Sequence, residues 1–276
     1  MSFSVNTNLG ALQAYNALAK VNAETQKAQL RLATTKRINQ VADDTSGYNV
    51  GKRLEAQTLK QKAQLNNIAS AKNYLATAES ALQQVNDKFN QISAKIIDTQ
   101  DPLKDKASLA ADIVTLANEI ESVLTSTNIN GAYLLTSTGT MSTAVGSQTF
   151  DIGGASFSID IDSKLSLSTI KTSTDELKAA TSTSTFTSFN TNLDAAVAKV
   201  RDALGYIGNK TQTVSSREEY LVSAIANNTA TISGIFDADM AAEQLNATKG
   251  QISSQVATAM LSQMNTAPQQ LLSLFR

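Results

Sequence analysis

From Leu193 to Ile235, side chains that avoid water recur at alternating steps of four and three. The series is Leu193, Val197, Val200, Leu204, Ile207, Thr211, Val214, Glu218, Leu221, Ile225, Asn228, Ile232 and Ile235. Ten of these thirteen are aliphatic, where the chain's 42% hydrophobic content leads one to expect about five or six. A stripe at a mean spacing of 3.5 residues stays on one side of an α-helix and has to be covered by another helix. The rest of the chain is therefore read for partners to this seam.

Two segments qualify. Leu65, Ile68, Leu75, Leu82, Val85, Phe89, Ile92 and Ile96 form a seam whose gaps are filled by Lys72 and Glu79, with Ala78 beside the latter. The helix carrying it is expected to start just after Gly51 and to run to Thr99, roughly 70 Å at the usual rise per residue. Asp101-Pro102 ends it, because proline lacks the amide and clashes with the preceding turn. A second helix follows Lys104, with Leu109, Ile113, Leu116, Ile120 and Val123. It stops at Asn128-Ile129-Asn130-Gly131, where Gly131 can adopt positive φ. So short a link makes the two an antiparallel hairpin.

The two ends repeat the theme with less apolar mass. Val5, Leu9, Leu12, Tyr15, Leu18, Val21, Thr25, Ala28 and Leu32 mark one. Leu245, Ile252, Val256, Ala259, Met260 and Met264, then Leu271, Leu272, Leu274 and Phe275, mark the other. Neither end carries enough core to fold alone, so each is expected to pair with the other and with neighbouring subunits. The candidate self-assembly residues are Leu9, Leu12, Leu18, Leu32, Ile252, Val256, Met260, Leu271, Leu272, Leu274 and Phe275. Pro102 and Pro268, the chain's two prolines, are expected at helix boundaries.

Residues 136–186 read differently. Thr149 to Ile152, Gly153-Gly154, and Ala155 to Asp162 predict a β-hairpin around a two-residue turn. The Ser/Thr run 181–185 predicts a low-complexity surface segment. This region is expected to face solvent and to accept an inserted tag at Thr183.

Composition excludes several functions. Cysteine and histidine are absent, so no disulfide, thiolate nucleophile or Cys/His metal site exists, and the usual general base near neutral pH is missing. No residue is nominated as catalytic, and no cofactor or metal is expected. Net charge is −1, from 23 basic and 24 acidic residues, which gives no nucleic-acid footprint. No apolar run approaches the roughly 18 residues of a membrane span. The first residues lack the charged-then-apolar pattern of a cleaved signal, consistent with a cytosolic protein or with export that leaves its cargo uncleaved.

Lys36 to Gly47 interrupts the helical pattern as a polar connector: Arg37, Asn39, Asp43, Asp44 and Gly47 are its marked positions. Asp44 or Thr45 can cap the next helix. Two acids are too few oxygen ligands for a hard cation.

These same residues resemble the N-terminal signature of bacterial flagellins: Asn6-Thr7-Asn8, Leu32 through Asn39, Asp43-Asp44 and Gly47. Ala78 to Leu82, Asn130-Gly131 and Leu134-Leu135 are similar to the family's following segments. Asp237 to Ala241 and Pro268 to Arg276 resemble its C-terminal end. The likeness covers roughly residues 1–136 and 190–276. It implies a mainly α fold of long antiparallel helices, a terminal coiled coil and a small β-hairpin region. Residues 1–44 and 236–276 would be an inner coiled-coil layer, 45–135 and 187–235 a helical core domain, and 136–186 its outer surface. The large outer domains of longer members would be absent. The resemblance also implies a homopolymeric extracellular filament for swimming, and export unfolded through the flagellar channel. The implied partners are further copies of itself, the export machinery and a chaperone, and the cap and hook-junction proteins. A hook–filament junction protein shares the helical ends and is the alternative. A cytosolic helical bundle explains the seams but not the matching termini.

Overall fold

A computed structural model of the chain describes residues 8–135, 146–154, 156–165, 167–179 and 182–274, and for 132, 162 and 267–274 only the backbone. The described residues form helices α1 (Leu9–Thr34), α2 (Thr45–Asp98), α3 (Lys106–Ser126), α4 (Ser168–Ala179), α5 (Thr183–Phe236) and α6 (Met240–Leu274). Two small antiparallel strand pairs join them: β1 (Asn128–Ile129) with β2 (Ala132–Tyr133), and β3 (Gln148–Phe150) with β4 (Phe157–Ile159). The architecture is the mainly α one expected. Two compact units divide the chain, residues 59–225 and residues 1–58 with 226–276.

The 59–225 unit holds the main core. The α5 seam is inward-facing there: Leu193, Val200, Ile207, Val214 and Leu221, one every seven residues, are buried, and the intervening seam positions are half-buried. Ile68, Leu75, Leu82, Val85, Phe89 and Ile92 of α2 and Ile113, Ile120 and Leu124 of α3 pack into the same core. The α2 seam is continuous across its polar gaps because Ala71 and Ala78 are fully buried in them. Lys72 snorkels from its gap to pair with Glu218 of α5. α2 and α3 are antiparallel and laced by Lys88–Glu119 and by Lys95–Asp112 at 2.6 Å. Such exposed pairs contribute under about 1 kcal/mol each, so burial of the aliphatic seam dominates.

Helix boundaries follow capping chemistry. Asp105 caps α3 through Ala107 N–H (3.1 Å) and Ser108 N–H (3.2 Å). The Ser108 hydroxyl, foremost, and these amides hold its carboxyl below the ordinary range. α3 ends before Asn128 and Gly131 takes positive φ, as expected; Asn130 does so too, and the two form the β1–β2 turn. α2, however, begins at Thr45 rather than after Gly51. Asp44 accepts the Gly47 amide at 2.8 Å and caps it, so the glycines at 47 and 51 lie inside the helix.

The middle segment departs from expectation in three ways. The β3–β4 register pairs Phe150 with Phe157, as a Gly153-Gly154 turn requires, but the ladder stops there. Asp151 leaves the strand to accept from Gly153 N–H (3.1 Å) and Gln64 Nε2 (3.0 Å), and its carbonyl takes Asn67 Nδ2 at 2.9 Å. The turn is thereby seated on α2, and Ile152 is buried at 2% exposure. Second, residues 168–179 form α4, whose Ile170, Ser173, Thr174 and Leu177 are buried. Third, Thr183 to Thr185 lie at the surface but form the first turn of α5, started by Ser182, whose Oγ accepts Thr185 N–H at 3.3 Å. An insertion at Thr183 therefore breaks a helix start rather than lengthening a loop. Thr181 and residues 136–145 lie outside the described residues. Pro268 is not a boundary either: α6 runs through it to Leu274.

Candidate assembly surface

α1 and α6 form an antiparallel pair. Asn8 Nδ2 donates to Met264 O (3.1 Å), Asn22 Oδ1 accepts from Ser254 Oγ (2.9 Å), and Arg31 pairs with Glu243 (2.9 Å). Their seam consists mostly of small side chains. Ala14, Leu18, Val21, Thr25, Ala28 and Leu32 face inward on α1; Glu243, Ala247, Gly250, Ser254, Ala257 and Leu261 do so on α6. Only glycine fits at 250, because a Cβ there would overlap the Thr25 side chain. The backbones thus approach closely, and most of the large apolar residues of both helices, Leu18, Val21, Leu32 and Leu261 apart, are left outside.

That sorting splits the candidate assembly residues. Leu18 and Leu32 are half-buried in the seam. Leu9 is 65% exposed, Leu12 57%, Ile252 56%, Val256 52% and Met260 56%. At 100° per residue Leu245, Ile252, Val256 and Met260 lie on one arc of α6, turned away from α1, while Met264 sits at its edge with its sulfur beside Gly10. Leu9, Leu12 and Tyr15 form a shorter exposed group on α1. From Gly250 to Leu274 no residue is charged. The side chains of Leu271, Leu272 and Leu274, and all of Phe275, lie outside the described residues.

All five marked connector positions meet in one cluster within the same unit. Asn39 and Gln40 amides both donate to Asp43 Oδ2 at 3.1 Å, and Asn39 Nδ2 donates to Lys36 O at 2.9 Å. Arg37 N–H donates to Phe236 O (2.6 Å) and Arg37 Nη2 to Ile235 O (3.0 Å). Ala238 N–H reaches Thr35 O at 3.0 Å, and Lys36 bridges Asp237 in antiparallel fashion. Asp44 and Gly47 complete the α2 cap. Sequence reading missed what holds this cluster together. Phe236 and Ile38 are buried at its centre, Tyr48 meets the Phe236 ring edge-on at 6.2 Å, and Gly51 lies flush against that ring. A lone Phe at the end of the α5 seam was the available signal.

Asp43 is the electrostatic element of the cluster. The Lys27 ammonium, 2.7 Å away, has the largest effect on its carboxyl; burial opposes it, the Asn39 and Gln40 amides add to it, and the pKa falls from the ordinary 3.8 to about 2. A depressed carboxylate contributes stability that is complete above the unfolded value and is lost as pH falls through the folded one. The wild-type chain is expected to lose this contribution between about pH 4 and pH 2. Lys27 is half exposed, so the contribution stays within about 1 kcal/mol. Urea titrations at stepped pH check it: Asp43→Asn should flatten the loss in that window, and an unchanged acid profile would contradict the assignment.

Among the described residues no three potential metal-ligating acids cluster, and no helix is long and apolar enough to cross a membrane. A close-packed terminal pair that leaves several large aliphatic side chains exposed places the chain in the class of long-helix proteins with an uncovered apolar surface. Comparison with known proteins gives the class its family. Residues 5–140 match the bacterial flagellin N-terminal helical region, and residues 191–275 match the C-terminal helical region. Flagellin of Listeria innocua is 31% identical over 280 aligned positions, covering 97% of both chains. Flagellin of Bacillus subtilis is 28% identical with 99% of each covered, and flagellin FlaB1 of Treponema pallidum is 27% identical at the same coverage. The chain belongs to the bacterial flagellin family and is a structural subunit of the flagellar filament. A solved structure assigned provisionally to a hook-associated protein of Vibrio parahaemolyticus aligns with 71% of the chain at 14% identity and a TM-score of 0.47. That likeness is too low to favour the junction alternative.

Proposed function

We propose that the exposed apolar arc of α6, with Leu9 and Leu12 of α1, is the surface on which successive copies of this chain join. The observation that carries the proposal is the 52–68% exposure of Leu245, Ile252, Val256 and Met260 along one side of a helix whose other side is already paired. Each aliphatic side chain so covered contributes about 1.5–3 kcal/mol. In this reading residues 1–44 and 236–276 form the inner layer of the filament. Residues 45–135 and 187–235 surround it, and 136–186 lie outermost. Leu271, Leu272, Leu274 and Phe275 extend the same contact. The chain leaves the cell unfolded through the growing structure and meets its export chaperone, the cap and the hook-junction proteins on the way.

Seeded growth tests the reading. Purified chain added to sheared fragments of its own filament should extend them into long fibres visible by electron microscopy. Failure to elongate, together with a cellular abundance of tens of copies rather than thousands, would instead identify a junction subunit.

A further inference from the structure

We propose that Asn8 and Pro268 form a clasp that makes the start of α1 depend on the continuation of α6 past its proline. Pro268 lies inside α6 and has no amide to donate to the carbonyl four residues earlier, that of Met264. An orphaned helix carbonyl of this kind takes its hydrogen bond from water or from a nearby side chain. The Asn8 side chain supplies it, with Nδ2 3.1 Å from Met264 O. The other end of the same amide caps α1, because Asn8 Oδ1 accepts the Ala11 amide at 3.0 Å. Asn8 therefore uses both halves of its side chain at once. One holds the first turn of α1, and the other holds the turn of α6 that the proline weakens. Serine or aspartate would serve as a helix cap equally well, but neither provides a donor of that length. The choice of asparagine follows from the proline at the far end of the chain. The clasp joins residues 256 apart in sequence and fixes the register of the terminal pair at its open end.

A double-mutant cycle on the full-length chain tests it. Asn8→Ser keeps the cap and removes the long donor; Pro268→Ala restores the missing α6 amide and makes the donor redundant. Hydrogen exchange is followed on polymerised protein, in peptides covering 8–14 and 256–266. Asn8→Ser should speed exchange in both peptides by about fivefold in the wild-type background, the equivalent of one net hydrogen bond, and by less than about twofold in the Pro268→Ala background. If Asn8→Ser prevents polymerisation, Pro268→Ala should restore it. An equal effect of Asn8→Ser in both backgrounds, no effect in either, or a failure of Pro268→Ala to rescue would overturn the clasp. Loss of seeded growth in the unmutated chain would count against the assembly surface instead, and the two failures are thereby distinct.

Discussion

A chain carrying Ile252→Asp and Val256→Asp is expected to fold and to leave filament fragments unextended. Both side chains are more than half exposed, so their replacement removes little internal packing. The helix-propensity cost is about 0.5 kcal/mol each. In a joined subunit the losses are larger. Two covered aliphatic side chains are forfeited, at about 1.5–3 kcal/mol apiece, and two carboxylates are buried without partners, at further cost. A loss of at least 3 kcal/mol raises the concentration needed for growth by about two orders of magnitude, at tenfold per 1.4 kcal/mol. Thermal unfolding of the soluble chain should stay within a few degrees of wild type while sedimentable polymer disappears. Normal fibre growth from the doubly charged chain would remove this arc from the assembly surface.

Gly51→Ala is expected to reverse the usual sign of a glycine-to-alanine change in a helix. In an open helix interior the substitution gains about 0.5–1 kcal/mol. Gly205 of α5 has nothing within 4 Å of its prospective Cβ and should show that gain. At Gly51 the same methyl runs into the Phe236 ring. That ring is 3% exposed and is held between Tyr48, Lys36 and Gly51. Forcing it out carries the overpacking cost of about 1–3 kcal/mol and disturbs the backbone bonds that Phe236 and its neighbours make with Arg37 and Thr35. Chemical denaturation of the two variants side by side should place Gly51→Ala below wild type and Gly205→Ala above it. Equal gains at both positions would show that Phe236 does not fill the space assigned to it.

Those two experiments probe features of unequal visibility in the sequence. The α5 seam was legible because its Leu, Ile and Val hold a strict four-three spacing through three polar positions, and the α2 and α3 seams were legible from the same kind of spacing. α4 was not. Its apolar content is little more than Ile170 and Leu177 among threonines and serines, and it takes its helical form from burial of Ser173 and Thr174 as well. The terminal helices were legible in part. Periodicity marks the large residues, yet a tightly approaching pair selects the small ones, so Leu9 and Leu12 stand outside while Thr25, Ala28 and Gly250 lie within. The connector residues were readable as polar punctuation. The aromatic that gathers them was marked only by its place at the end of the α5 seam, because Phe236 and Ile38 are far apart in sequence and nothing local links them.

The absence of charge from Gly250 to Leu274 bears on where such a filament can operate. Contacts made by an apolar arc without ionic partners have nothing for dissolved ions to screen. Their strength follows the transfer of hydrocarbon out of water, which weakens on cooling. A fibre joined this way keeps its cohesion from fresh water to brine and gives up part of it in the cold.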